Sequence, residues 1–434
     1  MKILIIENVW MGKAKYGLFD KTMLTSFSIL PTLCAREIAA ITPKKYSVSV
    51  LNERYSKINF NGSYDIVNIN FTTSTAPRAY EIADNFRKKG VKVVMSGLHA
   101  SAVPNEAKQH ADSVLLGRCD INWLKLLDDF EKNKLKEYYQ PINYDKSIKI
   151  PPTNIDLPGF VITGAIEATR GCPYRCEFCP ESNILGGEKF FTRTVDDVIA
   201  EIKSIPQKTI MFYDNSLTIN PVYTKSLFKK MKGLHKEFFC NGNADVLAKD
   251  LEFVRLSKEA GCVSWLIGFE SISQKTIDSV GKKTNNVEEY AQAVKNIHDK
   301  GMAVIGDFMF GFDNDNPDVF NETLKVIKEL QVDVADFCAL TPFPGTPIFN
   351  KLDKEGRILT KDWSQYTLKN VVFKPKNMTA DELTYGLRKM YIEFYSTGYT
   401  VKRIIRSLRL GFYPFFLVLA RNAVANMSSR RLFS

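Results

Sequence analysis

The chain has 434 residues, 45% of them hydrophobic and 25% charged. That length suits two or three domains with cores of their own, and that balance excludes a disordered chain, a collagen-like repeat and a disulfide scaffold. The net charge is +11, but residues 401–434 hold Lys402, Arg403, Arg406, Arg409, Arg421, Arg430 and Arg431 and no acid, so the rest of the chain is nearly balanced.

The first 120 residues alternate strand and helix patterns. Apolar runs at Ile3–Ile6, Val48–Leu51, Ile66–Phe71, Val91–Met95 and Val114–Leu116 predict five strands. Ala79, Ile82, Ala83 and Phe86 follow helical spacing after Pro77 and before Gly90, which predicts a helix with its stop signal in place. Apolar strands alternating with amphipathic helices imply a parallel sheet covered on both faces. Five such strands predict an α/β, flavodoxin-like doubly wound domain over residues 1–140, with ligands at the carboxyl ends of the strands. Met1–Trp10 has neither the basic start nor the long apolar core of a secretory signal. No run reaches the roughly 18 apolar residues of a spanning helix, so the expected location is the cytoplasm.

Residues 141–162 carry Pro141, Pro151, Pro152 and Pro158 without periodicity, as a linker does. A second alternating region, residues 163–350, offers strands at Ala165–Ala168, Thr209–Tyr213, Phe238–Asn241, Ser264–Phe269, Ala303–Phe310 and Val334–Leu340. Thr194 with Asp197 three residues on opens one of its helices. Six strand–helix units predict a partial (β/α)6 barrel with its chemistry on the loops after the strands. Residues 351–434 read as a mostly helical region. Leu410–Ala420 is strongly apolar there, interrupted by Pro414 and flanked by arginines.

The sharpest chemical signal is Cys172–Pro–Tyr–Arg–Cys176–Glu–Phe–Cys179, in the first loop of the predicted barrel. Thiolates are soft ligands for zinc or an iron–sulfur cluster. Three of them in one loop leave a metal position open, which a catalytic site requires; a structural zinc would need a distant fourth ligand. Cys34, Cys119, Cys240, Cys262 and Cys338 are scattered and read as core residues.

On the CxxxCxxC spacing, with Phe178 before the third cysteine, the chain resembles the radical S-adenosylmethionine (radical SAM) superfamily. The resemblance implies that Cys172, Cys176 and Cys179 hold a 4Fe-4S cluster whose open iron takes S-adenosylmethionine, giving a 5′-deoxyadenosyl radical on one-electron reduction. It places further cofactor contacts at strand ends: Phe178, Asp214 in Tyr213–Asp214–Asn215, Asn243 in Asn241–Gly–Asn243, and Glu270 and Ser271 in Gly268–Phe–Glu270–Ser271. Glu270 reads either as a ligand for ribose hydroxyls or as a salt-bridge residue, and Asn243 either as an adenosine contact or as part of a turn. Asp307, Gly311–Phe–Asp313 and Pro342–Phe–Pro344–Gly345–Thr346–Pro347 resemble later family signatures.

The N-terminal region resembles the cobalamin-binding domain of one large radical SAM class. The matching residues include Leu30–Pro31, Asp65–Ile–Val67, Thr72–Thr–Ser74, Ala79–Tyr80, Gly97–Leu–His99 and Ala111–Asp–Ser113. This implies cobalamin, with Thr72, Ser74, Gly97 and His99 beside it. Glu7–Tyr16 contains no histidine, so that loop supplies no axial ligand, and His99 reads as a loop histidine bonding backbone or ligand. In order and spacing the chain is most similar to hopanoid-methylase-like and related lipid-modifying enzymes.

The resemblance therefore implies a cobalamin-dependent methyltransferase acting on an unactivated carbon of a lipid or other apolar substrate. A reducing partner such as flavodoxin or ferredoxin would supply electrons. The alternatives are a radical SAM cyclase or carbon–carbon coupling enzyme, and a non-catalytic cobalamin or iron–sulfur sensor. No nucleic-acid-binding module is recognisable. The basic apolar tail reads either as a core-packing helix or as a peripheral contact with the inner face of a membrane.

Overall fold

Two parallel sheets follow one another in the computed structural model, which describes residues 1–7, 33–53, 56–140 and 162–432. The first contains β1 (Lys2–Glu7), β2 (Ser47–Asn52), β3 (Ile66–Asn70), β4 (Lys92–Ser96), β5 (Ser113–Leu115) and β6 (Tyr138–Tyr139). Their order is β2-β1-β3-β4-β5-β6, and every pair is parallel. The first five reproduce the flavodoxin-like order, in which the chain reverses direction between β1 and β3. The sixth was not foreseen: two residues are too few for periodicity, and the pairing rests on Val114 and Leu116 N–H groups bonded to Glu137 and Tyr139 carbonyls at 2.8 and 2.9 Å.

The β1 and β3 runs are almost continuously buried, as central parallel strands are when helices cover both faces. On one face the helix Ala76–Arg87 turns Ala79, Ile82, Ala83 and Phe86 inward. On the other, Trp123, Leu126 and Leu127 of the helix Cys119–Glu131 pack against Ile3, Ile5 and Ile66. The predicted linker and the loop from residue 8 to 16 fall outside the described residues, as do Leu30 and Pro31.

The second sheet starts with β7 (Thr163–Ile166) and is followed by a short antiparallel pair, β8 (Thr169–Arg170) and β9 (Phe191–Thr192). It continues through β10 (Thr209–Phe212), β11 (Glu237–Gly242), β12 (Cys262–Glu270), β13 (Ala303–Phe310) and β14 (Val334–Ala339). Sheet order equals sequence order, all pairs are parallel, and the described edges β7 and β14 are not paired. This is the expected partial barrel. Side chains alternate across it: Cys240, Ile267, Phe308, Phe310 and Phe337 lie in the core, whereas Asn241, Gly268, Asp307, Met309, Asp336 and Cys338 are half-buried on the opposite, concave face. That half-exposed inner face marks an open cleft.

Three helices, Ala380–Phe394, Thr397–Ser407 and Phe412–Leu432, complete the chain. The last crosses the amino-terminal ends of β13 and β14. Leu410 and Val418 pack on Ala303, Asn422 Nδ2 donates to the Asp333 carbonyl at 2.9 Å, and Arg421 pairs with Asp336 at 3.0 Å. Leu410, Val418 and Ala420 of the apolar run are thus covered by the barrel. No helix among the described residues is long and apolar enough to cross a membrane.

Arg403 is fully buried under this helix. It donates to Asn422 Oδ1 (3.0 Å), the Phe394 carbonyl (2.6 Å) and Thr400 Oγ1 (3.3 Å), and lies 3.9 Å above the Phe394 ring. Such a cation is tolerated only while its donors are matched. Asn422→Ala removes the nearer of its two side-chain acceptors and the contact with the Asp333 carbonyl. The expected loss is about 2–3 kcal/mol, seen as a lower urea midpoint at unchanged slope.

Candidate active site at the domain junction

The cysteine loop follows β8 and is held by its backbone. Cys172 N–H donates to the Gly187 carbonyl (2.9 Å) and Cys179 N–H to the Cys176 carbonyl (3.1 Å). Asn183 Nδ2 bridges the Cys176 and Cys179 carbonyls at 2.9 and 2.8 Å. Glu177 ties the loop to distant elements: its N–H reaches the Val280 carbonyl (3.0 Å) and its carbonyl takes the Ile348 N–H (3.2 Å). All three thiols are free, Cys176 buried and the other two half-buried. Burial raises the three thiol pKa values, that of Cys176 to about 12, against the pull of nearby Lys282 on Cys172 and Cys176. Loading metal onto them therefore releases protons.

No group of three or more His, Cys, Asp or Glu among the described residues is arranged around a single metal ion. A four-iron cluster takes each thiolate on a different iron, so its ligand set is wider than a single-ion site. Phe178 packs edge-on to Phe312, with ring centroids 6.2 Å apart.

Glu270 closes β12 in a left-handed conformation, φ +61°, and pairs with Lys282. Gly268 leaves room for this pair, since a Cβ there would stand 2.7 Å from Lys282 Nζ. The Glu270 carboxylate and Lys282 ammonium both lie within electrostatic reach of Cys176. Glu270 is thus in a salt bridge, as one reading had it, but a buried one beside the cysteine loop. Lys282 was missed, because a lone lysine in a polar loop gives no sequence signal.

Other expected contacts are reassigned. Asp214 is fully buried, and its carboxylate takes the Ala168 N–H (3.0 Å), the Thr169 N–H and the Thr169 hydroxyl (2.6 Å). It clamps the end of β7 instead of offering a free ligand. Burial still lifts its pKa to about 6. Ser271 is buried in a turn, its hydroxyl accepting from Ser273 N–H at 3.1 Å. The Asn243 N–H donates to Thr218 Oγ1 (2.9 Å), while its buried Nδ2 has no partner.

A cavity of about 380 Å³ separates the two sheets. Glu7, Cys34, Asn70, Thr72, Gly97, Gly117 and Arg118 line it from the N-terminal domain, and Glu167, Arg170, Gly171, Glu181, Gly187, Tyr213 and Asn215 from the barrel. It joins the carboxyl ends of β1, β3 and β4 to the segments that flank the cysteines, Gly171 before them and Glu181 to Gly187 after them, and none of the three cysteines is among its described lining residues. Gly97 requires its residue type, since φ is +106° and a Cβ would stand 2.5 Å from the Phe71 carbonyl oxygen. Thr72 caps the turn Thr73–Thr75 in a reciprocal box with Thr75. Ser74 and His99 do not line the cavity. His99 is a correction: it is fully buried, with Nδ1 3.2 Å from Thr73 Oγ1, boxed by Phe71, Tyr80 and Trp363. It serves packing, and none of the described cavity-lining residues is a histidine.

The radical SAM superfamily description matches residues 166–327. The chain is 30% identical over 385 residues to a bacteriochlorophyllide d C-8(2)-methyltransferase of Chlorobaculum tepidum, covering 83% of this chain and 84% of that one. The chain belongs to the radical SAM superfamily, within its methyltransferases. A hopanoid C-2 methylase of Rhodopseudomonas palustris is 24% identical over 211 residues, 46% of this chain and 40% of that one. The likeness to hopanoid methylases therefore holds over about half the chain, while the likeness to the chlorophyllide enzyme runs through most of it. Among solved structures, TsrM from Kitasatospora setae, a radical S-adenosylmethionine methyltransferase with cobalamin and a [4Fe-4S] cluster bound, shares the fold. Its TM-score is 0.67 at 15% identity, over 82% of this chain and 75% of that one.

On the concave face Asp307 stands beside Asp336 in the β13–β14 register. Burial, then Asp336 and Glu270, lift its pKa to about 8 against the opposing pull of Lys282 and Arg421. The unfolded value is about 3.9, so between about pH 4 and 8 the folded state holds the extra proton, and this group's contribution to stability falls as pH rises. Asp307→Asn removes that loss. Its melting temperature is expected to exceed that of wild type by about 2–4 °C at pH 8, the gap closing as pH falls to 4 in parallel thermal scans.

Proposed function

We propose that this radical SAM enzyme is a cobalamin-dependent methyltransferase that methylates an unactivated carbon of a lipid or other apolar substrate. The observation that carries this reading is the cavity between the N-terminal strand ends and the segments that flank the three cysteines, Gly171 on one side and Glu181 to Gly187 on the other. Gly97, Gly117, Gly171, Gly186 and Gly187 stand in its wall among larger side chains such as Leu33, Phe71, Arg118, Arg170 and Tyr213, and glycines let a ligand approach backbone closely. Cys172, Cys176 and Cys179 would hold the 4Fe-4S cluster, for which three free thiols on a backbone-tethered loop are the right donors. Asn243, with its orphaned buried amide nitrogen, and Glu270 fit S-adenosylmethionine, and Phe178 flanks the same loop. Thr72, Gly97 and Gly117 would face cobalamin. When bound, these groups supply one-electron chemistry and a transferable methyl group.

The chain's own part is positioning and shielding. The Asp214 clamp fixes the corner between β7 and β8, after which the cysteine loop departs. Lys282 offsets negative charge near the thiols and holds Glu270 in place. Domain docking encloses the cavity from two sides, which limits water at a reactive centre. An apolar substrate accords with the bacteriochlorophyllide and hopanoid named for the two relatives. The reductant would be a flavodoxin- or ferredoxin-type donor.

Anaerobic reconstitution with iron, sulfide and hydroxocobalamin, followed by reductant and S-adenosylmethionine, tests the proposal. The expected result is retained corrinoid, with 5′-deoxyadenosine and S-adenosylhomocysteine both formed when a substrate is methylated. Cys176→Ala is expected to lose iron and fall to background 5′-deoxyadenosine. 5′-Deoxyadenosine without S-adenosylhomocysteine and without corrinoid would replace methyl transfer by cyclisation or carbon–carbon coupling. Neither nucleoside would leave a sensor.

A further inference from the structure

The helix Thr397–Ser407 is folded inside out. Its buried face carries Thr400, Arg403 and Ser407, polar groups satisfied by one another, by backbone and by Asn422. Its outward face carries Val401 and Ile405, continued by Leu408 in the next turn and Phe412 beyond it. Their exposures are 47%, 61%, 60% and 73%. Spacings of four and three put Val401, Ile405 and Leu408 along one side, and Phe412 follows beyond the helix break at Gly411, φ +93°. A polar inside with an apolar outside is the reverse of a surface helix of a soluble domain, and a contiguous apolar strip of this kind marks a contact.

The charge around the strip selects the contact. Lys402 and Arg409 are exposed within it, Lys208 lies 4.9 Å over the Tyr413 ring just after it, and no acid occurs from residue 394 to the end of the chain. A two-fold dimer through this face would set these cations against their own copies. We propose that the outward face of Thr397–Ser407, with Leu408 and Phe412, docks on an anionic lipid surface. The apolar side chains enter the headgroup boundary, and Lys402 and Arg409 reach the headgroup charges. The sequence pointed to Leu410–Ala420 for such a contact; Leu410, Val418 and Ala420 of that run are buried, while Phe412 and the preceding helix's face stay open.

Flotation of the full chain with vesicles of phosphatidylglycerol and phosphatidylcholine, against phosphatidylcholine alone, tests this without substrate or cofactors. Wild type is expected to float with the anionic vesicles and to be released by added salt. Ile405→Glu and Leu408→Glu should each lower partitioning about tenfold, and the double change Lys402→Gln, Arg409→Gln should remove the preference for phosphatidylglycerol. Unchanged thermal unfolding of each variant shows that the fold is intact. No flotation of wild type, or equal flotation of the Glu variants, overturns the proposal. A dimer in sedimentation velocity that Ile405→Glu dissociates, without flotation, also overturns it and gives the face to a second copy.

Discussion

Arg170 stands between two carboxylates that come from different domains. Glu37 lies on the helix Cys34–Ile41 of the N-terminal domain, and Glu167 lies between β7 and β8 of the barrel. All three are largely out of water. Such a set stabilises no more than well-packed apolar groups would, but losing one member strands a buried charge. Its effect is to fix how the two sheets meet. Burial, with Asp214 nearby, lifts the Glu167 pKa to about 7, and Arg170 opposes that rise. The position of Arg170 depends in turn on the corner between β7 and β8, which Asp214 clamps through the Ala168 and Thr169 N–H groups. Trp363 Nε1 donates to Glu106 at 2.9 Å and makes a second contact between the N-terminal domain and the rest of the chain. The cavity exists because these contacts hold the two sets of strand ends face to face without filling the space between them.

Within the barrel, charge is arranged around the cysteine loop. Three thiolates near one another are costly without counter-charge, and Lys282 is the largely covered cation whose charge reaches them. The Lys282–Glu270 pair needs Gly268 beneath it, so a glycine two residues before the end of β12 is part of the electrostatics. Lower on the same concave face, Asp307 and Asp336 form an acidic pair to which the C-terminal helix contributes Arg421. The helix that closes the amino-terminal end of the barrel thus also sets the charge inside it.

Most of this architecture is legible in the sequence because parallel strands are long apolar runs and their helices are strongly periodic. The expected β13 limits, Ala303–Phe310, coincide with those observed, and the Ala79–Phe86 face is buried as its spacing predicts. The cysteine spacing is likewise a local signal, read without knowledge of distant partners. Elements that depend on distant partners were not legible. β6 is two residues long and exists only because β5 offers an edge. Lys282 matters through Glu270, and Trp363 through Glu106. Asp214 and His99 were misassigned because a polar residue at a strand end carries the same sequence signal whether it meets a ligand or a neighbouring N–H group. The difference lies in the closure of the β7 corner around Asp214, and of an aromatic box around His99.

The C-terminal helices carry that limit furthest. Hydrophobic content located an apolar segment at Leu410–Ala420, yet content says nothing about which neighbour covers it. The open amino-terminal end of a six-stranded barrel needs a cap, and Val418 with Leu410 meets Ala303 there. Once that helix is committed to the barrel, the helix before it must satisfy Arg403, whose acceptors lie inward on Phe394 and Asn422. Turning Arg403 inward turns Val401 and Ile405 outward, because residues two apart on a helix point to opposite sides. The exposure of Val401 and Ile405 is therefore a geometric consequence of burying one arginine, and it places these apolar side chains, with the exposed Leu408 and Phe412 that follow, beside the most one-sided charge in the chain.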